Sequence, residues 1–201
     1  GALLIDEWSP PYTFDKDNHN WFGWQTGLHW QDIYLHNDQF HLEYTWTDHR
    51  IYHHRFKVND AYSWGYPVGF WAGPHAEEIY ADYSVSFGDY HIKIMISAAK
   101  RGEITDSMRV NQYSKQPSNI PVYKRFGFDN FENCGDCSGL IESKQLIRLS
   151  VNRNLNEKIE IYVQYSFAHW DNAGFDPSSL YAQNIRDIGK HSLGFGIHYR
   201  Y

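Results

Sequence analysis

The chain has 201 residues and carries 8 Trp, 16 Tyr and 12 Phe against only 2 Met and 2 Cys, yet its mean hydropathy is −0.64. The length suits one domain with a substantial core, and the net charge of −6 excludes a general nucleic-acid binder or a polybasic membrane-surface module. No stretch approaches the ~18 uninterrupted apolar residues of a transmembrane helix.

The chain opens without a start methionine, directly in Ala2-Leu3-Leu4-Ile5. A removed signal peptide or further strands upstream would both account for this, and the second is the expectation. A first strand is expected over about 1–8, with ambiguous faces. From there a two-residue period dominates. Residues 22–31 set Phe22, Trp24, Leu28 and Trp30 against Gly23, Gln25, His29 and Gln31. Residues 39–47 set Phe40, Leu42, Tyr44 and Trp46 against His41, Glu43 and Thr45. Residues 78–87 set Ile79, Ala81, Tyr83, Val85 and Phe87 against Glu78, Tyr80, Asp82 and Ser84.

The pattern continues in residues 90–101, with Tyr90, Ile92, Ile94 and Ile96 against His91, Lys93, Met95 and Arg101. Near 141–152 it is less clean, with Ile147, Leu149 and Val151 against Arg148, Ser150 and Asn152. Residues 158–168 set Ile159, Ile161, Val163, Tyr165 and Phe167 against Glu160, Tyr162, Gln164 and Ser166. The final segment sets Leu193, Phe195, Ile197, Tyr199 and Tyr201 against Gly194, Gly196, His198 and Arg200. About eight strands result.

A soluble sandwich also alternates, but three features point to a membrane barrel. Lys93, Arg101, Arg148, Glu43, Lys158 and Glu160 on the polar faces would be costly in a dry core and suit a wet lumen. Short turns at 32–38, Gly88-Asp89 and Asn154–Glu157 alternate with long loops at about 9–20, 54–76, 103–139 and 171–190, the layout of outer-membrane barrels. Aromatics gather towards strand ends, as two interfacial girdles would require. The sequence therefore predicts an all-β fold: an antiparallel transmembrane β-barrel of outer-membrane type. It forms a single β-barrel domain over 1–201, the C-terminal portion of a longer barrel. Gly196, Tyr199 and Tyr201 resemble the final-strand signal read by the bacterial barrel-assembly machinery.

Tyr52-His53-His54 is followed by Gly65-Tyr66-Pro67-Val68-Gly69-Phe70-Trp71-Ala72-Gly73-Pro74-His75 and then Glu77-Glu78-Ile79-Tyr80. With Leu4-Ile5-Asp6-Glu7, this resembles the capsule-assembly Wzi family over roughly residues 1–88. The resemblance implies an outer-membrane barrel of about eighteen strands, some of whose relatives are lectins for capsular polysaccharide. The helical region that precedes the barrel in that family has no counterpart here.

Aromatic faces against sugar C–H surfaces, with polar side chains catching hydroxyls, are the chemistry of carbohydrate binding. Tyr62, Trp64, Tyr66, Phe70, Trp71 and His75 are the candidate residues, and a packed plug in the barrel mouth fits the same loop. His49, His53, His54 and His75 lack the tight spacing of a metal motif, so no metal is expected. Cys134 and Cys137 form a lone C-x-x-C, expected as a loop disulfide in an oxidising envelope. Asp15, Asp17, Asn18, Asp171, Asn172 and Asp176 are read as turn residues rather than a calcium site. No catalytic elbow, Walker loop or dinucleotide fingerprint appears, and Ser166 and His169 fall on opposite faces.

The expected protein is thus non-enzymatic and cofactor-free, lies in the bacterial outer membrane, and is associated with surface polysaccharide. Its partners would be the lipid bilayer, lipopolysaccharide and capsular polysaccharide, with no nucleic acid. The alternative is a porin or channel for small solutes.

Overall fold

The structure is a computed structural model that describes residues 1–7, 21–48, 51, 62–63, 66–67, 70–102, 141–175 and 182–199. These form ten strands and no helix. In chain order they are β1 (Ala2–Glu7), β2 (Trp21–Gln31), β3 (Asp38–Thr47), β4 (Tyr62–Ser63), β5 (Tyr66–Pro67), β6 (Ala76–Phe87), β7 (Tyr90–Gly102), β8 (Ile141–Asn154), β9 (Ile159–Phe175) and β10 (Ala182–Tyr199). Eight make one antiparallel sheet in the order β1-β2-β3-β6-β7-β8-β9-β10; β4 and β5 pair separately between β3 and β6. Among the described residues, β1 and β10 do not pair with each other, so the sheet is open.

Register ties the alternation of one strand to the next. Leu28 faces Leu42, Leu42 faces Ala81, Ala81 faces Ile96, Ile96 faces Ile147 and Ile147 faces Phe167. A second row runs Ile92, Val151, Val163 and Phe195. Along these rows apolar positions meet one another across the strand gap, and the reverse face carries mainly polar rows; Val85 opposite Asp38, Ile161 opposite Arg153 and Leu146 opposite Ser97 depart from the pattern. The first strand, ambiguous from its sequence, is resolved in the same way: Leu3 pairs with Trp24, and Ala2 with Gln25. Leu3 thus joins the apolar face and Ala2 the polar one.

The two faces are covered opposite to a soluble sheet. In the middle of the sheet Ile96 is 50% and Val163 52% exposed, whereas Ser84 and Glu142 on the polar face are 7% and 5% exposed. The polar face is the sheltered one. The small packed core (Trp46, Ile51, Ala72, Ala76) sits at the long-loop end of β3 and β6 rather than between layers.

Local chemistry fixes the short turns. Gly88 takes φ +53° at the first central position of the Phe87–Tyr90 hairpin, a conformation glycine adopts without a Cβ penalty. The Asn156 side chain accepts from the N–H groups of Lys158 and Ile159. In the turn before β3, the Asp38 carboxylate accepts from the N–H groups of Ile33, Tyr34 and Leu35 and from the Tyr83 hydroxyl. Near the C-terminus, a Cβ at Gly196 would lie 2.6 Å from the Tyr162 ring, so that ring occupies the space a side chain would need.

Two expected boundaries are corrected. The loop expected at 171–190 is largely strand: β9 runs on to Phe175 and β10 begins at Ala182, with Lys190 opposite Ala168 and Ile188 opposite Trp170. Apolar alternation fades after Phe167 because the strands leave the apolar band, but the backbone ladder does not need it. The 54–76 loop holds the two-residue strands β4 and β5 and ends in β6 at Ala76. The loops at 9–20 and 103–139, and Tyr201, lie outside the described residues.

Burial alone would raise the Asp38 carboxyl, but the Tyr34 N–H, the Tyr83 hydroxyl and the N–H groups of Ile33 and Leu35 together hold it down at about 2. A depressed carboxylate stabilises the fold above its unfolded value of 3.8 and loses that contribution as pH falls through about 2. Asp38→Asn is expected to lower the unfolding midpoint at pH 7 and to shrink the wild type's loss of stability between pH 4 and pH 2. Unfolding curves at both pH values for wild type and variant check this; equal pH sensitivity contradicts it.

Candidate functional site

The segment 70–75 is fastened onto the end of β3 by backbone and hydroxyl bonds. The Thr47 hydroxyl donates to the Gly73 carbonyl at 2.7 Å and accepts from the Ala76 N–H at 3.1 Å. The His75 N–H donates to the Asp48 carbonyl, and the His75 carbonyl accepts from the Gly102 N–H at 2.9 Å. Gly73 (φ +76°) and His75 (φ +54°) provide the sharp reversals this path needs. The turn directs Trp71 towards the polar face of the sheet.

On that face one row of the register runs Gln25, Thr45, Glu78, Ala99, Lys144 and Trp170. The Trp71 Nε1–H donates to Glu78 Oε2 at 2.7 Å. The Lys144 Nζ lies 4.8 Å from the Trp71 ring centroid and 4.5 Å from that of Trp170, within cation–π reach of both. Phe70 meets Trp71 edge to face at 6.0 Å. Ala99 lies between Glu78 and Lys144 in the row, and its small side chain leaves the room that the indole needs. Trp170 also donates to Glu142, a carboxylate that Arg101 binds through Nε at 2.8 Å.

The result is an open cleft of about 470 Å³ at the long-loop end of β1–β3. Its lining includes Gln25, Glu43, Thr45, Phe70, Trp71 and Glu78. Gln25 Nε2 donates to Glu43 Oε1 at 2.6 Å and to the Thr45 hydroxyl at 3.3 Å. Glu78 Oε1 accepts from the Ser97 hydroxyl at 2.5 Å. The Trp71 side chain remains 46% exposed. An aromatic ring beside fixed carboxylates and an amide can hold a polyhydroxylated ligand by stacking and hydroxyl capture.

Of the six residues expected from sequence, Phe70 and Trp71 line this cleft. His75 is 3% exposed and does not line it; its backbone holds the turn. Tyr62 and Tyr66 lie on the β4–β5 pair, Tyr62 opposite Pro67 and Ser63 opposite Tyr66. Trp64, Cys134, Cys137, His49, His53, His54, Asp15, Asp17, Asn18 and Asp176 lie outside the described residues. Asp171 is bound by Ser143 at 2.8 Å and by His169 at 2.9 Å. Among the described residues no group of three or more His, Cys, Asp or Glu side chains is arranged to hold a metal.

Sequence reading missed Gln25, Glu43, Thr45, Glu78, Lys144 and Trp170 as partners of the aromatic turn. Alternation gives their face, but only register gives their height.

Further along the polar face is a second set of charges. Asp82 accepts from the Tyr80 hydroxyl at 2.8 Å and pairs with Lys93 at 3.2 Å and His41 at 3.5 Å. His41 faces His29, and Arg148 lies across Met95 from Asp82. The Arg148 Nε is buried with no hydrogen-bond partner among the described residues.

No family model, curated protein or solved structure matches the chain.

The Lys144–Trp71 contact is expected to appear as coupling. Trp71→Ala and Lys144→Ala together should cost less than the sum of the single changes by about 0.5–1 kcal/mol. Urea unfolding of the four proteins measures this, and strict additivity contradicts the contact.

Proposed function

We propose that this chain is the wall of a bacterial outer-membrane β-barrel of capsule-assembly type, whose loop-side cleft binds surface polysaccharide without altering it chemically. The observation that carries the reading is the pairing of an uncovered apolar face with a sheltered polar face, at whose end a half-exposed Trp71 is held beside two carboxylates. Lipid takes the place of the missing apolar layer. From Ile159 to Phe167 the apolar positions span nine residues of β9, which matches the ~9–11 residues a tilted strand needs to cross a bilayer core. The stacked Trp30–Phe40 pair, Tyr90 and Tyr199 stand towards the short-turn ends of their strands, where ring tips would meet headgroups.

The inner face supports a barrel wider than eight strands. Eight strands leave room only for side chains to fill the interior, whereas this one carries Tyr80, Arg148, Tyr162 and Trp170 and, among the described residues, its two sheet edges do not pair with each other. In this reading Gly196, Tyr199 and Tyr201 are read by the barrel-assembly machinery, and the glycine also makes room for Tyr162.

A channel is the second reading, favoured by the paired charges of Asp82, Lys93 and His41 on the same wall. The two separate in vesicles. Protein folded into lipid is expected to be retained on immobilised capsular polysaccharide. Trp71→Ala should cut retention roughly tenfold, as removal of an aromatic anchor does, and Trp30→Ala at the opposite margin should leave it intact. No retention of wild type, with salt-dependent conductance across planar bilayers, would replace the polysaccharide reading with the channel.

A further inference from the structure

The chemistry of the cleft narrows which polysaccharide it takes, and this step rests on the polysaccharide reading above. Three donors of the lining are consumed internally, and a fourth, the Trp24 indole N–H, is buried without a partner among the described residues and out of a ligand's reach. Both identified bonds of the Gln25 amide nitrogen go to the lining itself, to Glu43 and Thr45. The Trp71 indole N–H goes to Glu78. The Thr47 hydroxyl goes to the Gly73 carbonyl.

The acceptors are in surplus. Glu43 and Glu78 each present two carboxylate oxygens, with about four lone-pair sites apiece. Glu43 takes the Gln25 amide on one oxygen and faces His41 at 3.7 Å on the other; Glu78 takes one donor on each oxygen. Among the described residues no Lys or Arg lines the cleft. Lys144 is held between the Trp71 and Trp170 rings, and Arg101 is bound to Glu142.

We propose that the cleft selects neutral or amino-bearing sugar chains and rejects chains carrying uronate or other anionic groups. The sugar's C–H face lies on Trp71, and its hydroxyl or ammonium donors go to Glu43 and Glu78, which supply the acceptors. An anionic sugar brings a third negative charge beside two fixed ones. Among the described residues the lining offers it no Lys or Arg, and the nearest ammonium, Lys144, is sandwiched between Trp71 and Trp170 rather than aimed into the cleft, so the repulsion remains substantial over a few ångströms.

The test uses matched polymers. Uronate-containing capsular polysaccharides are compared with the same polymers after chemical reduction of their carboxyls to primary alcohols, each titrated against the full chain in lipid vesicles. The reduced form is expected to bind at least roughly tenfold more tightly, and Glu43→Gln should narrow that ratio by raising affinity for the uronate form. Equal or tighter binding of the uronate form overturns the selectivity and leaves the polysaccharide reading standing. Binding of neither form, with retention on every neutral polymer also absent, overturns both.

Discussion

The structure depends on one constraint: eight strands pair in a register that brings the aliphatic positions of neighbouring strands together on one face, as in the row from Leu28 through Leu42, Ala81, Ile96 and Ile147 to Phe167. Because side chains alternate with a period of two, a slip of one residue in any ladder would turn that strand's aliphatics onto the polar wall. The short turns prevent the slip. Gly88 sets the β6–β7 hairpin, Asn156 the β8–β9 turn, and Asp38, with its three backbone N–H groups and the Tyr83 hydroxyl, the turn between β2 and β3. Cross-strand polar bonds add to this on the sheltered side, where Asn152 reaches Glu160 and Arg101 reaches Glu142.

The cleft follows from the same register. Glu78, Ala99 and Lys144 come from three strands and reach one height only because β6, β7 and β8 pair as they do. The indole of Trp71 then has a carboxylate to bind and an ammonium to stack on. The turn carrying it is held by Thr47, whose hydroxyl both donates and accepts in a buried position. A slipped ladder would separate these groups before it unfolded the sheet.

Much of the fold was legible in the sequence, because burial on one side and polarity on the other leave a signature at every second residue. The strands through Phe40, Ile94 and Val163 fall where alternation puts them. Legibility ended where that signature did. Beyond Phe167, residues such as His169, Asp171 and Ala173 pair through their backbones with no apolar stripe, so an extended ladder read as loop. The site was legible only in its aromatic half: Phe70 and Trp71 stand out as rings between glycines. Glu78 and Lys144 look like any solvated strand residues until pairing sets their heights. His75 stood out by residue type, but its left-handed backbone and its carbonyl's bond to Gly102 place it in the frame of the turn.

The central claim is that the Ile, Val and Phe face meets hydrocarbon while the opposite face meets water. Val163 and Gln164 are neighbours on β9 at the same height, with side chains on opposite faces. Each replaced by lysine in turn, the folded protein in lipid vesicles is titrated with denaturant. The account predicts that Val163→Lys costs about 2–4 kcal/mol, the range for a cation on a lipid-facing midplane position, and that Gln164→Lys costs under about 1 kcal/mol. Comparable costs at the two positions, or a larger one at Gln164, would contradict it.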